Sequence, residues 1–167
     1  MKLSELMAGI TPSASYAGPA QTDDFVLAVD IAEAPSEKKG DYVVVQDGIT
    51  AVDPQLNPET TDKTYIRTGK STAKTANQRT FNISGDRQHG DAFQDFVCGH
   101  AIKFGLGKTV VKPYVYFSIL TGKGESGTAA IIVNSDGSGN AGASAEIDVD
   151  IRCTKTPDEY TYAADPE

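Results

Sequence analysis

Tryptophan is absent from this chain of 167 residues, and cysteine and histidine occur only twice each. Two cysteines allow at most one disulfide, which excludes a disulfide-built scaffold. The sequence leaves open whether Cys98 and Cys153 pair. A structural zinc site takes four ligands, and Cys98 and His100 are two residues apart on a predicted helix, so they point in different directions. We therefore expect no metal and no cofactor.

Long apolar runs are also missing. No segment approaches the 18 or more apolar residues of a membrane-spanning helix. The N-terminal MKLSELMAGI has no apolar core of the length that a signal peptide needs. We therefore expect no membrane contact, and a protein that is cytosolic or released by a route other than standard secretion.

Positive charge is scarce. Fifteen Lys and Arg residues stand against 23 Asp and Glu residues, for a formal net charge of -8. A protein that grips DNA without sequence specificity needs a basic surface that displaces counterions from phosphates. The composition disfavours such a groove, whereas a surface that repels DNA is compatible with it.

A catalytic signature is lacking as well. No G-x-S-x-G motif occurs, and no pattern selects a nucleophile together with its base. Gly107-Lys108-Thr109 looks like the end of a phosphate-binding loop, but Ile102 stands where that motif needs its first glycine. The sequence therefore predicts no catalytic residues and a protein that is not an enzyme.

The length predicts one folded domain with short appendages. Residues 1–24 differ in composition from the rest of the chain: one short amphipathic turn is followed by small and polar residues with Pro and Gly among them. We expect a flexible N-terminal arm there. Residues 25–156 form the predicted domain. Residues 157–167 are an acidic C-terminal tail that we expect to be irregular.

Alternating apolar residues predict a mainly β domain of about seven strands or more, either a β-sandwich or a partly closed β-barrel. Asp47-Gly48 lies between two β-rich runs and predicts a hairpin of residues 42–46 with residues 49–52. One flanking α-helix is expected near residues 91–104, where apolar residues recur at helical spacing after the N-cap residue Asp91. The other predicted strands cover residues 25–31, 64–67, 79–85, 114–120, 128–133 and 144–153.

The last of these strands has a patterned surface. Glu146, Asp148 and Asp150 alternate with three branched apolar residues, so the carboxylates share one face. Three like charges on one face must be solvated. Two interpretations are open: the ordinary wet outer face of a sandwich, or the acidic inner wall of a channel.

In the order and texture of its segments, the chain resembles the major tail tube protein of long-tailed bacteriophages, whose fold is similar to that of the type VI secretion tube subunit. The resemblance extends from about Asp24 to Tyr162 and includes the strand–Gly85-Asp86-Arg87–helix junction. The segments that carry it are the arm at residues 1–24, YVVVQDGITAV, YIRTGKSTAKTANQ, RTFNISGDR, DAFQDFVCGHAIKF, YVYFSILTGKGESG and ASAEIDVDIRCTKTPDEY.

The resemblance implies a structural virion protein that forms hexameric rings, and rings that stack into a hollow tube for DNA ejection. Expected partners are further copies of the chain, a tape-measure protein and tail-terminator or tail-tip proteins, while DNA passes without specific binding. The expected location is the virion tail, assembled in the bacterial host cytoplasm. The acidic strand is then a candidate lumen wall, and candidate ring-stacking residues lie in the polar loop: Asp62, Lys63, Arg67, Lys70, Lys74 and Asn77.

Two alternatives are compatible with the same residues. One is a secretion or gene-transfer tube subunit of the same fold. The other is a β-sandwich module that binds carbohydrate or protein, which would need a concave pocket with aromatic anchors.

Overall fold

The computed structural model describes residues 1–163, and its main feature is one antiparallel sheet. The strands are β1 (Phe25–Val29), β2 (Val43–Val44), β3 (Ile49–Gln55), β4 (Glu59–Tyr65), β5 (Gly69–Ala76), β6 (Thr80–Asp86), β7 (Val111–Ser118), β8 (Lys123–Ser138), β9 (Glu146–Cys153) and β10 (Asp158–Thr161). Seven of them follow one another in the sheet in the order β2-β1-β7-β8-β9-β6-β3, and β10 pairs with β8 beside this path. Strands β4 and β5 form a separate pair.

The main hydrophobic core lies on one face of this curled sheet. Alternating side chains of the strands point into it, and two helices, α2 (Ala92–Val97) and α3 (His100–Lys103), pack against it. The expectation of a mainly β, partly closed barrel with flanking helical structure is confirmed. The largest buried side chains of the main core include Phe81, Ile83, Phe93, Tyr114, Ile131 and Ile151.

Two short helices occupy the region where the sequence predicts one. The expected N-cap is present, because the Asp91 carboxylate accepts a hydrogen bond of 2.9 Å from the Gln94 main-chain N–H. The helix then breaks at Gly99, whose ψ of 149° is extended. Glycine weakens a helix interior, and here the break starts a second helix at His100.

The predicted Asp47-Gly48 hairpin is wrong. Its two strands, β2 and β3, lie at opposite ends of the sheet, with five strands between them. Gly48 has a φ of 73°, but Asp47 does not share the positive φ that a type I′ turn requires. The Gly48 carbonyl instead accepts a hydrogen bond of 2.8 Å from Asp86 at the end of β6. The turn therefore carries the chain from one end of the curled sheet to the other.

The first ten residues pack on the sheet instead of projecting from it. The helix α1 (Leu3–Leu6) buries Leu3 completely, and Met7 is also buried. The Leu3 N–H donates to the Tyr42 carbonyl at 2.6 Å. Together with side chains from β1, β2 and β7, they form a second core on the opposite face. A flexible arm therefore stays a prediction for residues 11–24 alone, because burial holds the residues before them.

The expected irregular tail begins with a strand. Residues 158–161 form β10, which pairs with residues 123–126 of β8. Rings in this region cover the second core, since Phe117 stacks on Tyr162 at a centroid distance of 5.5 Å and meets Tyr160 edge-on. The alternation of tyrosine with polar residues accounts for the strand. The end of the predicted tail, residues 164–167, lies outside the described residues.

Candidate functional site

The acidic strand β9 has the two faces that its alternation predicts. Ile147, Val149 and Ile151 are buried in the main core. Glu146 and Asp148 are exposed on the other face, and the Asp150 side chain, which shares that face, is 13% exposed. The structure thus brings the three predicted carboxylates together.

Neighbouring strands extend this acidic face. On β6, Asp86 lies directly opposite Glu146, while Asn82 and Ser84 lie opposite the other two carboxylates. On β3, the strand next to β6, Asp53 lies directly opposite Asn82 and therefore shares this face. We call this surface the acidic face, and its charged and polar members are Asp53, Asn82, Ser84, Asp86, Glu146, Asp148 and Asp150.

Little positive charge compensates the acidic face. Arg152 donates to the Asp150 carboxylate at 3.0 Å, and the Asn134 amide donates to Asp148 at 3.3 Å. Asp86 and Glu146 face each other across strands as like charges, an arrangement that costs stability. The surface is therefore suited to repel a polyanion.

The predicted polar loop is a β-ribbon, which corrects the expectation of a strand at 64–67 followed by a loop. β4 and β5 pair from Glu59 to Ala76, and every residue of both strands is exposed. The turn is tight because Arg67 adopts a φ of 71° and Gly69 a φ of 82°. The threonines of both strands favour strand pairing, while the charged and small residues around them supply no apolar face. We call residues 59–76 the ribbon.

Most of the predicted stacking residues share this ribbon. Asp62 pairs with Lys70 at 2.8 Å and accepts a hydrogen bond of 2.7 Å from Thr72. These bonds, first of all that from Lys70, hold the pKa of the Asp62 carboxyl below its usual value. Lys63, Arg67 and Lys74 lie on the same ribbon, whereas Asn77 follows it, beside a small cavity next to Arg79 and Cys153.

A cleft runs between β1 and β3, where the two ends of the curled sheet approach each other. It consists of two adjoining cavities of about 340 Å³ and 440 Å³. Both are lined by Thr22, Phe25, Val45 and Val52. We call this cleft, with Asp23 and Asp53 among its lining residues, the seam.

Sequence reasoning missed the seam. The sequence predicts that Phe25 lies in a strand. The residues around it contain no pattern that predicts its proximity to Val52, which is 27 residues further along the chain. The predicted hairpin would even have closed the gap by pairing β2 with β3. Only the long-range order of the sheet exposes this cleft.

A buried polar network closes one end of the main core. The Arg79 Nε donates to the Glu125 carboxylate at 2.7 Å, and the Tyr114 hydroxyl donates to the same oxygen at 3.3 Å. The Cys153 thiol donates to Tyr114 at 2.9 Å. Burial raises the pKa of Cys153 and of Tyr114, so both stay protonated at neutral pH.

Both cysteines are free thiols. Burial also raises the pKa of the half-buried Cys98, whereas a reactive thiolate has a lowered pKa. Among residues 1–163, no group of three or more His, Cys, Asp or Glu side chains is arranged to hold a metal ion. Over the same residues, no helix combines the length and apolar character needed to cross a membrane.

Comparisons with known proteins give a fold. No protein-family model matches the chain, and no curated protein matches it. A chain from the tail of an empty gene transfer agent particle, with C6 symmetry, matches at a TM-score of 0.56 and 17% identity, over 86% of this chain and 100% of that chain. A chain from the virion of a native gene transfer agent particle matches at a TM-score of 0.53 and 15% identity, over 87% and 100%.

These matches define the class of structure to which the chain belongs. It has the mainly β fold found in the particles of gene transfer agents, including the tail of one of them. The resemblance to phage-like tail subunits is thereby confirmed at the level of the fold. At 15–17% identity, the roles of individual residues do not transfer with it.

Proposed function

We propose that this chain is a structural subunit of a phage-like tail tube, not an enzyme. Copies of it join into hexameric rings. The rings stack into a hollow tube through which DNA passes during ejection. The observation that carries the proposal is the fold shared with a chain from a gene transfer agent tail of C6 symmetry.

The acidic face supports a role as the lumen wall. Its carboxylates project from one side of β9 while the other side is anchored in the core. Phosphates passing along such a wall are repelled, so DNA slides instead of binding. Glu146, Asp148 and Asp150 are the proposed lumen residues.

The ribbon supports a role in contacts between copies. A two-stranded ribbon is marginally stable by itself in water. Here both strands are exposed along their whole length. Packing against a second copy would cover it, so Asp62, Lys63, Arg67, Lys70 and Lys74 are the proposed stacking residues, and Asn77 beside the ribbon is the sixth.

In this proposal, the mature location is the virion tail, after assembly in the host cytoplasm. A tape-measure protein inside the tube and terminator or tip proteins at its ends are the other proposed partners. A second candidate setting is the tail of a gene transfer agent, which the two solved structures favour. The physical role of the subunit is the same in both settings.

Negative-stain electron microscopy of the concentrated full chain tests the proposal. We expect hollow tubes or rings of uniform width. Dispersed single subunits at every concentration, also after seeding with sheared tail tubes of the source particle, would contradict it.

A ribbon-deleted variant tests the stacking role. Thr60 and Lys74 are opposite each other in the register, so an Asn-Gly turn can replace residues 61–73 without distorting the base of the ribbon. We expect thermal unfolding of the subunit to be unchanged and tube growth to be lost. Tubes of normal length from this variant would remove the ribbon from the proposal.

The lumen assignment is tested by neutralising the wall. Tubes of a Glu146→Gln, Asp148→Asn, Asp150→Asn variant should retain short duplex DNA at low salt, and native tubes should exclude it. A matched variant with Glu33→Gln, Glu37→Gln and Asp158→Asn loses equal charge at exposed positions away from the acidic face. Equal DNA retention by both variants would show that the acidic face does not line the channel.

A further inference from the structure

The tip of the ribbon carries exposed apolar side chains. Ile66 is 88% exposed and Tyr65 is 54% exposed, at the far end of a projection that is otherwise polar. Exposed apolar residues at such a place indicate a contact with another surface. We call Tyr65, Ile66 and Arg67 the tip.

The seam offers a surface of the opposite kind. Its apolar lining includes Phe25, Leu27, Val45 and Val52, and Phe25 is itself 43% exposed. Its two cavities are in the range of about 300–1,000 Å³ that is typical of pockets that enclose small organic groups. The seam is therefore large enough for two side chains.

Charge distinguishes the ribbon from the rest of the chain. Residues 59–76 carry four basic and two acidic side chains, a net charge of +2, although the whole chain carries -8. The seam, in contrast, is lined by Asp23 and Asp53 and by no Lys or Arg. The basic ribbon and the acidic seam are therefore complementary in charge, which favours a contact between them.

We propose that the tip of one copy inserts into the seam of a second copy. Tyr65 and Ile66 pack on Phe25 and Val52, and Arg67 pairs with Asp53 at the border of the seam. The inference rests on the proposed tube function and deepens it by naming the contact between copies.

This contact is heterologous, because the tip and the seam are different surfaces of the same chain. Each copy therefore offers one tip and one seam, and repetition produces a closed ring or an open stack. A second apolar projection could compete for the seam: Phe104 and Leu106, after α3, are 66% and 85% exposed. They lie close to the body of the domain and lack a long projecting ribbon, so the tip is the favoured occupant.

Disulfide trapping tests the contact. In a Cys98→Ser background, which leaves the buried Cys153, one preparation carries Ile66→Cys and another carries Ala51→Cys in the lining of the seam. Mixing them under mild oxidation should give a disulfide-linked dimer. Ala73→Cys, exposed in the middle of the ribbon, is the matched control and should give none when mixed with Ala51→Cys.

The same mixtures separate the possible failures. A dimer from Leu106→Cys with Ala51→Cys, and none from Ile66→Cys, would assign the seam to the competing loop and overturn the inference. Tubes seen by electron microscopy without an Ile66→Cys dimer would overturn the inference and leave the tube proposal intact. If neither tubes nor disulfide-linked dimers form, the result contradicts both the inference and the tube proposal.

Charge reversal provides an independent test. Asp53→Lys and Arg67→Glu should each lower the yield of trapped dimer, by about fivefold or more, because each places like charges together. Combining Asp53→Lys in the seam partner with Arg67→Glu in the tip partner should restore the yield. Lys38→Glu, an exposed reversal outside the ribbon and the seam, is the matched control and should leave the yield unchanged. Equal loss with Lys38→Glu and no restoration would contradict the pairing of Arg67 with Asp53.

Discussion

The side-chain amide of Gln94 donates a hydrogen bond of 2.7 Å to the main-chain carbonyl of Asp47, which ties helix α2 to the turn between β2 and β3. The same nitrogen donates to the Asp86 carbonyl at 3.1 Å, and the Gln94 side-chain oxygen accepts from the Gln88 N–H at 2.7 Å. Gln94 is completely buried. One side chain thus holds together the turn, the end of β6 and the helix.

Gln94→Ala should lower the free energy of unfolding by about 2–4 kcal/mol, because it leaves buried main-chain groups without partners and opens a cavity. Urea unfolding of the full chain measures the change. The matched control is Gln55→Ala at an exposed position, which should stay within about 0.5 kcal/mol of the parent. A loss no larger than that of the control would show that Gln94 does not hold the turn.

Leu3→Ala should destabilise the subunit by about 2–4 kcal/mol, since Leu3 is fully buried in the second core. Leu56→Ala removes the same atoms from a side chain that is 50% exposed and should cost far less. Thermal unfolding of both variants distinguishes a docked N-terminus from a free arm. Equal midpoints for Leu3→Ala and the parent would show that the N-terminal residues are not docked, and the prediction of a flexible arm would again cover residues 1–24.

Glu146→Gln should stabilise the free subunit by about 0.2–1 kcal/mol, because it removes the like-charge pair with Asp86 across β6 and β9. The gain should shrink at high salt, which screens exposed charges. Glu37→Gln, an exposed change away from any strand, is the comparison. A loss of stability, or a gain that does not respond to salt, would argue against repulsion within the acidic face.

Alkaline pH should unfold the subunit partly through Tyr42. Burial, with a smaller contribution from the nearby Asp30, raises the pKa of Tyr42 from 10.0 to about 12. A raised pKa means that the protonated form is favoured in the folded state. Its contribution is therefore complete below pH 10 and is lost as the pH rises through about 12, and it amounts to about 3 kcal/mol at most.

Unfolding midpoints measured from pH 9 to pH 12 test this linkage. Tyr42→Phe removes the ionising group, so its stability should fall less over that range than that of the parent. Tyr16→Phe, at an exposed position, should follow the parent. Burial also raises the pKa of Tyr114, so some alkaline loss should persist in Tyr42→Phe. Identical slopes for Tyr42→Phe and the parent would contradict the assignment.

Much of the local structure was predictable from the sequence. Ile147, Val149 and Ile151 alternate with three carboxylates, and period-two alternation alone assigns them to opposite faces of a strand. Asp91 precedes an apolar helical pattern, and its carboxylate caps that helix as expected. The acidic composition and the order of the segments also led to the fold that the solved structures share.

The predictions fail where a neighbour distant in sequence decides the outcome. Asp47-Gly48 has the composition of a hairpin turn, but contacts with Asp86 and Gln94 draw it to another part of the sheet. The ribbon has no apolar face, so its pairing gives no periodic signal. Leu3 resembles a residue of a mobile terminus until β1, β2 and β7 form the surface on which it packs.

The sequence by itself therefore determined which side chains of β9 face the core, which of them form an acidic surface, and that the fold is mainly β. The tertiary structure alone decided the order of the strands, the docking of the N-terminus and the seam between β1 and β3. The alternation of apolar residues along a strand and the capping of a helix involve residues close together in the sequence, so the local pattern predicts them. Strand order instead depends on the packing of the whole core, in which every strand competes for the same partners.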